Sequence, residues 1–489
     1  MSVGPITLYQ QLGLLGLALI VYWIIAVIAI VGEDREPTVT LAWILVLLTF
    51  PGFGLVMYFF LGRDWKHRVP QRAAIKAART EMLHAMLAVY QPYLQLQADF
   101  RERFDGTVTG RISRSILAVN DDRPLPVRSF DILPSGEAFF SALLADIATA
   151  RRFIHLQFYI WECDELTARV ADVLLDRLRA GVEVRISYDW IGSLPYPKNE
   201  LRLLRNAGAT VVADATALGS INYRNHRKIV VIDGDIGYTG GHNVGQEYID
   251  GGRNYASWRD TSVRITGPGV AALQKWFAHR WLTSRGDNNM FAPKYFPAPD
   301  TELAATDPII VQAVAQGVDD PMESARRTHM VAISGAEKSI RLQSPYFVPD
   351  PGLYDALINA ALSGIDVHFM MTGIADHRWA YWAAQSYWRQ LVSAGAHVYL
   401  YEAGFFHAKT LAVDSEACAI GTLNMDLRSL RLQREIMLWS FDAATTIEQE
   451  AIFDRDLRSC REITLVEIDA INRVTRLRNS AARLGANLL

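Results

Sequence analysis

One phrase occurs twice in this chain, displaced by 181 residues. It reads His226, Lys228, Asp233, Gly240 and Asn243 in the first copy, and His407, Lys409, Asp414, Gly421 and Asn424 in the second. A single H-x-K-x4-D arises by chance easily enough in 489 residues. Two copies, each followed after the same gap by G-[GT]-x-N, do not. Repetition of a whole motif means a duplicated structural unit, and two such units can bring two histidines to one pocket.

The residue types suit attack on an anionic phosphodiester. Positive charge is needed around the non-bridging oxygens, and Lys228 and Lys409 supply it. Asn243 and Asn424 add neutral donors. Histidine is near-neutral at physiological pH, so one imidazole can act as nucleophile while the other gives and takes the proton. In a strand, H-x-K places both side chains on one face. The apolar runs Ile229–Ile232 and Thr410–Val413 read as the buried strands that follow. Asp233 and Asp414 complete the repeated set and are taken as members of the catalytic group.

The duplication reaches beyond the motifs. Phe153–Ile160 parallels Ser339–Phe347, Ala180–Ile186 parallels Ser363–Phe369, and Asn206–Val211 parallels Ser393–Val398. Strands alternating with amphipathic helical stretches indicate an α/β fold around a mixed or parallel sheet. Two lobes are expected, over 130–295 and 320–470, joined by a linker near Asn288–Pro321.

Residues 11–31 and 39–62 carry no charge, and each is long enough to span about 30 Å of hydrocarbon. Residues 1–62 are therefore expected to form a two-helix transmembrane hairpin, with Pro51, Gly52 and Gly54 loosening its second span. The intervening loop holds Glu33, Asp34, Arg35 and Glu36, whereas Arg63, Lys66, Arg68, Arg72, Lys76 and Arg79 follow the second apolar run against one early acid, Asp64. Positive residues stay inside, which places the lobes on the cytoplasmic side of the membrane. Residues 63–129 read as a basic juxtamembrane helical region and connector, and 471–489 as a basic tail carrying Arg473, Arg476, Arg478 and Arg483. That basic character fits contact with anionic lipid headgroups. Without residues 1–62 the chain has 48 basic against 49 acidic residues, a poor footprint for nucleic acid. Three cysteines, Cys163, Cys418 and Cys460, suggest neither a disulfide framework nor a metal site. Five aromatics between Trp379 and Trp388 lie on an expected helix that either dips into the bilayer or packs beneath the second lobe.

On the paired motifs the chain resembles the phospholipase D superfamily, and other phrases are similar to those of bacterial cardiolipin synthases. These are Thr40-Leu41-Ala42-Trp43 with Pro51-Gly52-Phe53-Gly54 and Gly62-Arg63, then Tyr188-Asp189 with Gly192-Ser193, Trp258-Arg259-Asp260-Thr261, Ser344–Asp350 and Gly421–Ser429. The resemblance implies two phospholipase D-like α/β sandwich lobes related by a pseudo-two-fold. In that superfamily an acid after each G-x-x-N supports a catalytic histidine. Glu435 fits in the second copy; in the first an insertion shifts the role to Asp260. The run before Glu435 departs from the usual L-N-F-E, reading Leu432-Gln433-Arg434. The implied reaction is phosphatidyl transfer from one phosphatidylglycerol to another through a phosphatidyl-histidine on His226, with His407 as acid and base. It needs no metal or other cofactor, and the implied setting is the bacterial inner membrane. Phospholipase D hydrolysis to phosphatidic acid is the alternative use of the same residues.

Overall fold

The computed structural model describes residues 8–33, 37–62, 72–214, 223–285, 288–318 and 320–486, which fall into two compact units. In the smaller, the first apolar run forms the helix Leu8–Val31, of which Gly13–Val31 is long and apolar enough to cross a bilayer. The second run is not one continuous helix. Pro37–Thr49 is helical, the chain turns at Phe50–Gly52, and Phe53–Met57 resumes into a π-helical turn, Tyr58–Gly62. Proline at 51 removes a helical donor, and Gly52 at φ 87° takes a conformation costly for other residues. The two helices meet through Ala26, Ile30, Trp43, Leu47 and Tyr58. Outward-facing Ile28 and Leu41 remain about two-thirds exposed, an apolar surface suited to lipid rather than water.

The larger unit contains two sheets built to one plan. In the first, Phe153–Phe158 lies at the centre, parallel to Glu183–Asp189, which is parallel to Thr210–Asp214. On its other side follow, all antiparallel, Ile229–Ile232, Ile236–Gly240, Ser262–Thr266 and Ser129–Leu133. The second sheet repeats the order with Ser339–Gln343, Asp366–Thr372 and His397–Tyr401 on one side. Thr410–Val413, Ala417–Gly421, Glu435–Ser440 and Ile309–Gln316 follow on the other. Two further strands, Leu125–Val127 and Cys460–Glu462, extend the edges of this second sheet.

Two assignments from the sequence change. Ile309–Gln316 falls inside the stretch read as a linker, yet it is a strand of the second sheet. Leu125–Val127, read as part of the connector before the first lobe, pairs with that same strand. The helix Val108–Asn120, within the same connector, bonds to the second lobe through Asn120 Oδ1, which accepts from Ala315 N–H at 2.6 Å. The part of the connector from Val108 to Val127 therefore belongs structurally to the lobe that lies later in the chain, whereas its helix Arg72–Tyr90 packs against Ala271–Arg285 of the first.

The two sheets share one core. Ile229, Val231, Val263 and Ile265 meet Ala313, Ala315, Ile420, Ile436 and Leu438, together with Leu273 and Phe277 of the helix Ala271–Arg285. Alternate residues Val230 and Ile232 face the outer helices of the first lobe. Burial on both faces explains why this strand reads as an unbroken apolar run. It also makes the position of the motifs rigid: truncating a fully buried side chain such as Phe277 is expected to cost about 3–5 kcal/mol.

The aromatic run forms the helix Arg378–Ser393, with Tyr387 and Trp388 buried and Trp379 about half exposed. The basic tail forms the helix Arg473–Ala486 and docks there. Arg478 sits 4.6 Å from the Trp382 ring centroid and Arg483 4.2 Å from that of Tyr387. Packing accounts for most of the aromatic helix, and two of the four tail arginines are spent on it.

Candidate active site

Each His-x-Lys sits just ahead of a central strand, and the opposite lobe holds its backbone in place. His226 N–H donates to Arg434 O at 3.0 Å, and Arg434 N–H donates to Arg224 O at 2.8 Å. In mirror fashion His407 N–H donates to Arg259 O at 2.7 Å, where Phe405–Phe406 runs parallel to Trp258–Arg259. The first histidine is thus positioned by second-lobe backbone and the second by first-lobe backbone. This reciprocity is what a pseudo-two-fold relation produces.

The carboxylates cross in the same way. His226 Nδ1 lies 3.0 Å from Glu435 of the second lobe, and His407 Nδ1 lies 2.6 Å from Asp260 of the first. Asp260 and Glu435 are structural equivalents. Gly240 pairs with Ser262 and Gly421 with Met437, so each acid sits two residues before the matched position. A short helix follows each asparagine, Glu247–Asp250 in the first copy and Leu427–Arg431 in the second, so the insertion falls between Asp250 and Trp258. A carboxylate on Nδ1 fixes the imidazole tautomer and leaves the Nε2 lone pair free to face a substrate.

The surroundings of the two acids differ. Thr422 Oγ1 donates to Glu435 at 2.5 Å. Its counterpart is Gly241, where a β-carbon would come within 1.9 Å of Asp260 Oδ1, so only glycine fits. Gln433 explains one departure from the usual run. With its amide oriented by its neighbours, it donates to Glu435 Oε1 at 3.0 Å and accepts from Arg428 Nε at 3.1 Å.

Lys228 and Lys409 are almost wholly buried, and each donates to the carbonyl of its own histidine, His226 and His407. Burial, reinforced by Lys409, pulls the Lys228 ammonium down to about 7. Burial likewise pulls Lys409 down to about 8 against the opposing pull of Asp260 and Glu435. Burial also lowers both imidazoles, His407 to about 3 and His226 against the upward pull of Glu435. Burial alone would raise the Asp260 carboxyl, but Lys409 and His407 hold it below the usual range. Lys409 acts on His226, and Lys228 on His407, so the two motifs share one electrostatic environment. The two buried lysines set this site up to receive an anion.

Two residues taken as catalytic do not reach this pocket. The Asp233 carboxylate accepts from the backbone N–H groups of Arg151, Arg152 and Phe153 at 2.7–2.9 Å. Asp414 accepts from those of Glu337, Lys338 and Ser339 over the same range. Four strand residues separate each lysine from its aspartate, which at about 3.3 Å per residue carries the carboxylate to the far end of the strand. Both aspartates clamp the entrance to the neighbouring central strand.

The asparagines also differ. Asn243 is engaged, accepting from Ile160 N–H at 3.0 Å and donating to the Tyr248 hydroxyl at 3.1 Å. Asn424 is buried, and its Oδ1 has no hydrogen-bond partner. Three aromatic rings line the histidines, of which the sequence reading takes up Trp258 only as part of a resembling phrase. The Tyr159 ring lies 5.0 Å from that of His226, and Trp258 and Phe405 lie 5.2 and 5.7 Å from His407. Tyr159 lies within the repeated run Phe153–Ile160, but its counterpart in the second copy is Pro345, so comparing the repeats did not single it out. Away from this site, Asp366, His368 and His397 bring ligating atoms together across adjacent strands, which no linear spacing announces.

Comparison with known proteins shows the family of the chain. Residues 143–281 and 330–457 match the family described as cardiolipin synthase, PLD-like domain, and residues 21–63 match the phospholipase D-nuclease N-terminal family. The chain is 36% identical over 486 residues to the major cardiolipin synthase of Bacillus subtilis, covering 97% of this chain and 99% of that one. It is 33% identical over 481 residues to a cardiolipin synthase of Oceanobacillus iheyensis, covering 96% and 98%. Among solved structures, phosphatidylserine synthase of Haemophilus influenzae shares the fold, with a TM-score of 0.60 at 16% identity over 77% of this chain and 98% of that one.

Proposed function

The chain belongs to the bacterial cardiolipin synthase family with two phospholipase D-like domains, and on that footing we propose how its shared site acts. It is a phosphatidyltransferase that joins two phosphatidylglycerol molecules into cardiolipin and releases glycerol. The observation that carries the mechanism is the crossed pair of histidine–carboxylate contacts, flanked by two buried lysines, at the junction of the lobes.

His226 Nε2 attacks the phosphorus of the donor lipid, and the bond from phosphorus to the glycerol oxygen breaks. The bound phosphodiester brings negative charge between Lys228 and Lys409. That restores a proton to His407, whose imidazolium Asp260 stabilises and which protonates the departing glycerol. The phosphatidyl group now rests on His226 as a phosphoramidate. A hydroxyl of the second phosphatidylglycerol gives its proton to His407 and attacks phosphorus, and the P–N bond breaks. One phosphodiester replaces another, so the transfer is close to balanced and reversible. Charge stabilisation comes from the lysines, with Asn424 bordering the same site.

The helix Leu8–Val31 associates the protein with the membrane. The second apolar stretch, 37–62, returns the chain across the bilayer with a break at Pro51. The basic flank from Arg63 keeps the lobes on the cytoplasmic face of the inner membrane. Phosphatidylglycerol as sole lipid tests the reaction: cardiolipin and glycerol form in equal amounts, and added glycerol drives cardiolipin back. Phosphatidic acid as the main product, with no response to glycerol, would assign the site to hydrolysis instead.

A further inference from the structure

Transfer between two phosphatidylglycerols needs room for two phosphates, since the acceptor keeps its own while its glycerol hydroxyl attacks. A glycerol arm separates that hydroxyl from the acceptor phosphorus by five bonds of about 1.5 Å each, so the second anion must bind just beyond the reacting one. The histidines and lysines described above serve only the phosphorus under attack.

Beside them lies a cation that the protein pairs only loosely. Arg224 precedes His226 by two residues on the segment that crosses to the second lobe, and it is 8% exposed. Among the described residues, its Nε and Nη1 donors have no hydrogen-bond partner. Nη1 forms a long ion pair with Asp189 at 3.5 Å, without a hydrogen bond. Asp189 is already satisfied, accepting from Ile191, Gly192 and Asn225 N–H groups at 2.8–3.1 Å. A buried guanidinium with idle donors costs stability unless something anionic meets it. Tyr159 links it to the site: this ring touches His226 and lies 5.6 Å from Lys228 Nζ, while its hydroxyl feels both Arg224 and Arg428. Arg428, half-buried, is close enough to depress Arg224 and is steered by Gln433, the departure seen in the sequence.

We infer that Arg224, with Arg428 beside it, seats the phosphate of the acceptor lipid, a second phosphodiester anion separated from the reacting one by Tyr159. The inference rests on the phosphatidyl-transfer reading above. A guanidinium fork suits two phosphate oxygens at once, and a water or neutral alcohol entering the same position has nothing to offer it. The site therefore favours an acceptor that carries its own phosphate.

Two reactions of the full-length protein in phosphatidylglycerol vesicles separate this role from any other. Cardiolipin formation uses an acceptor with a phosphate; incorporation of labelled glycerol into phosphatidylglycerol uses one without. Arg224→Gln is expected to lower cardiolipin formation by about thirtyfold, chiefly through the apparent KM for lipid, with glycerol incorporation within about threefold of wild type. Arg224→Lys recovers part of the loss. If Arg224→Gln lowers the Tm and loses both reactions, Arg428→Gln, at a half-buried position, carries the same comparison with the same expected split. Equal loss of both reactions in well-folded variants, or no loss in either, overturns the acceptor seat. A wild-type protein that performs neither reaction would overturn the transfer reading itself, and the acceptor seat with it.

Discussion

The two lobes repeat what the chemistry needs and diverge in what surrounds it. Both present histidine and buried lysine ahead of a central strand, both clamp the neighbouring strand with an aspartate, and both lend a carboxylate to the opposite histidine. Beyond that they part. The first lobe's acid, Asp260, is packed against Gly241; the second lobe's, Glu435, is held by Thr422 and Gln433. His226 faces Tyr159 and the Arg224 side, while His407 is enclosed by Trp258 and Phe405. Duplication supplied a symmetric reaction centre, and divergence of its walls gave the two histidines different neighbours. The proposed division of labour, with His226 as nucleophile and His407 as proton carrier, is set against that difference in surroundings.

The largest effects should come from the histidines, and they should separate the two roles. His226→Ala and His407→Ala are each expected to lower the cardiolipin rate by about three orders of magnitude or more, because nucleophile and acid act as a unit. A donor with a good leaving group, such as a nitrophenyl phosphodiester, needs no acid for its departure. Release of nitrophenol in a burst should therefore return in His407→Ala and stay absent in His226→Ala. The reverse pattern would exchange the roles of the lobes.

Next come the lysines. Loss of either ammonium leaves transition-state charge uncompensated, so Lys228→Ala and Lys409→Ala should each cost roughly 3–4 kcal/mol in kcat/KM. Rates within tenfold of wild type at both positions would make the lysines structural. The same groups set a pH dependence. Both are depressed in the free enzyme, to about 7 and about 8, so their charge is present below those values and lost as pH rises through them. The kcat/KM profile should fall on its alkaline side between about pH 7 and 8. The kcat profile should hold to higher pH, since a bound anion favours the ammonium forms. A flat kcat/KM from pH 6 to 9 would contradict the shared buried charge.

Smaller effects belong to the clamps. Asp233→Asn and Asp414→Asn should lower the melting temperature, each weakening a carboxylate that accepts three backbone donors, at a cost of about 1–3 kcal/mol. The folded fraction should keep its turnover to within a few-fold. A drop of a hundredfold in kcat with unchanged Tm would restore the aspartates to the chemistry. Thr422→Val should be milder still, a few-fold loss, because Gln433 and His226 continue to hold Glu435.

Much of this was legible from residues close together in the chain. The motif spacing disclosed the duplication, the runs Ile229–Ile232 and Thr410–Val413 disclosed the strands, and the resemblance to the phospholipase D superfamily pointed past an insertion to Asp260. The rest depends on distance in space. A motif written on a line makes Asp233 and Asp414 look like neighbours of the lysines, but an intervening strand sends them to its other end. The exchange of carboxylates between lobes has no linear signature, because Asp260 follows the first motif and serves the second. Ile309–Gln316 was hidden for a related reason: its flanks carry the proline and aspartate of a linker, and only pairing with Leu125–Val127 and Glu435–Ser440 makes it a strand. Arg224 lies two residues before the first motif, but a donor without a hydrogen bond is visible only once its surroundings are.

The account centres on a covalent phosphatidyl group carried by the first lobe's histidine and resolved by the second's. Its most direct test is to mix the protein with phosphatidylglycerol labelled in its phosphate, quench in alkali within the first turnover, digest and map the label. The expected result is an acid-labile, alkali-stable adduct on the peptide containing His226, absent in His226→Ala and accumulating when His407→Ala is given an activated donor. Label on the His407 peptide, or no labelled peptide while cardiolipin forms at the wild-type rate, would contradict it.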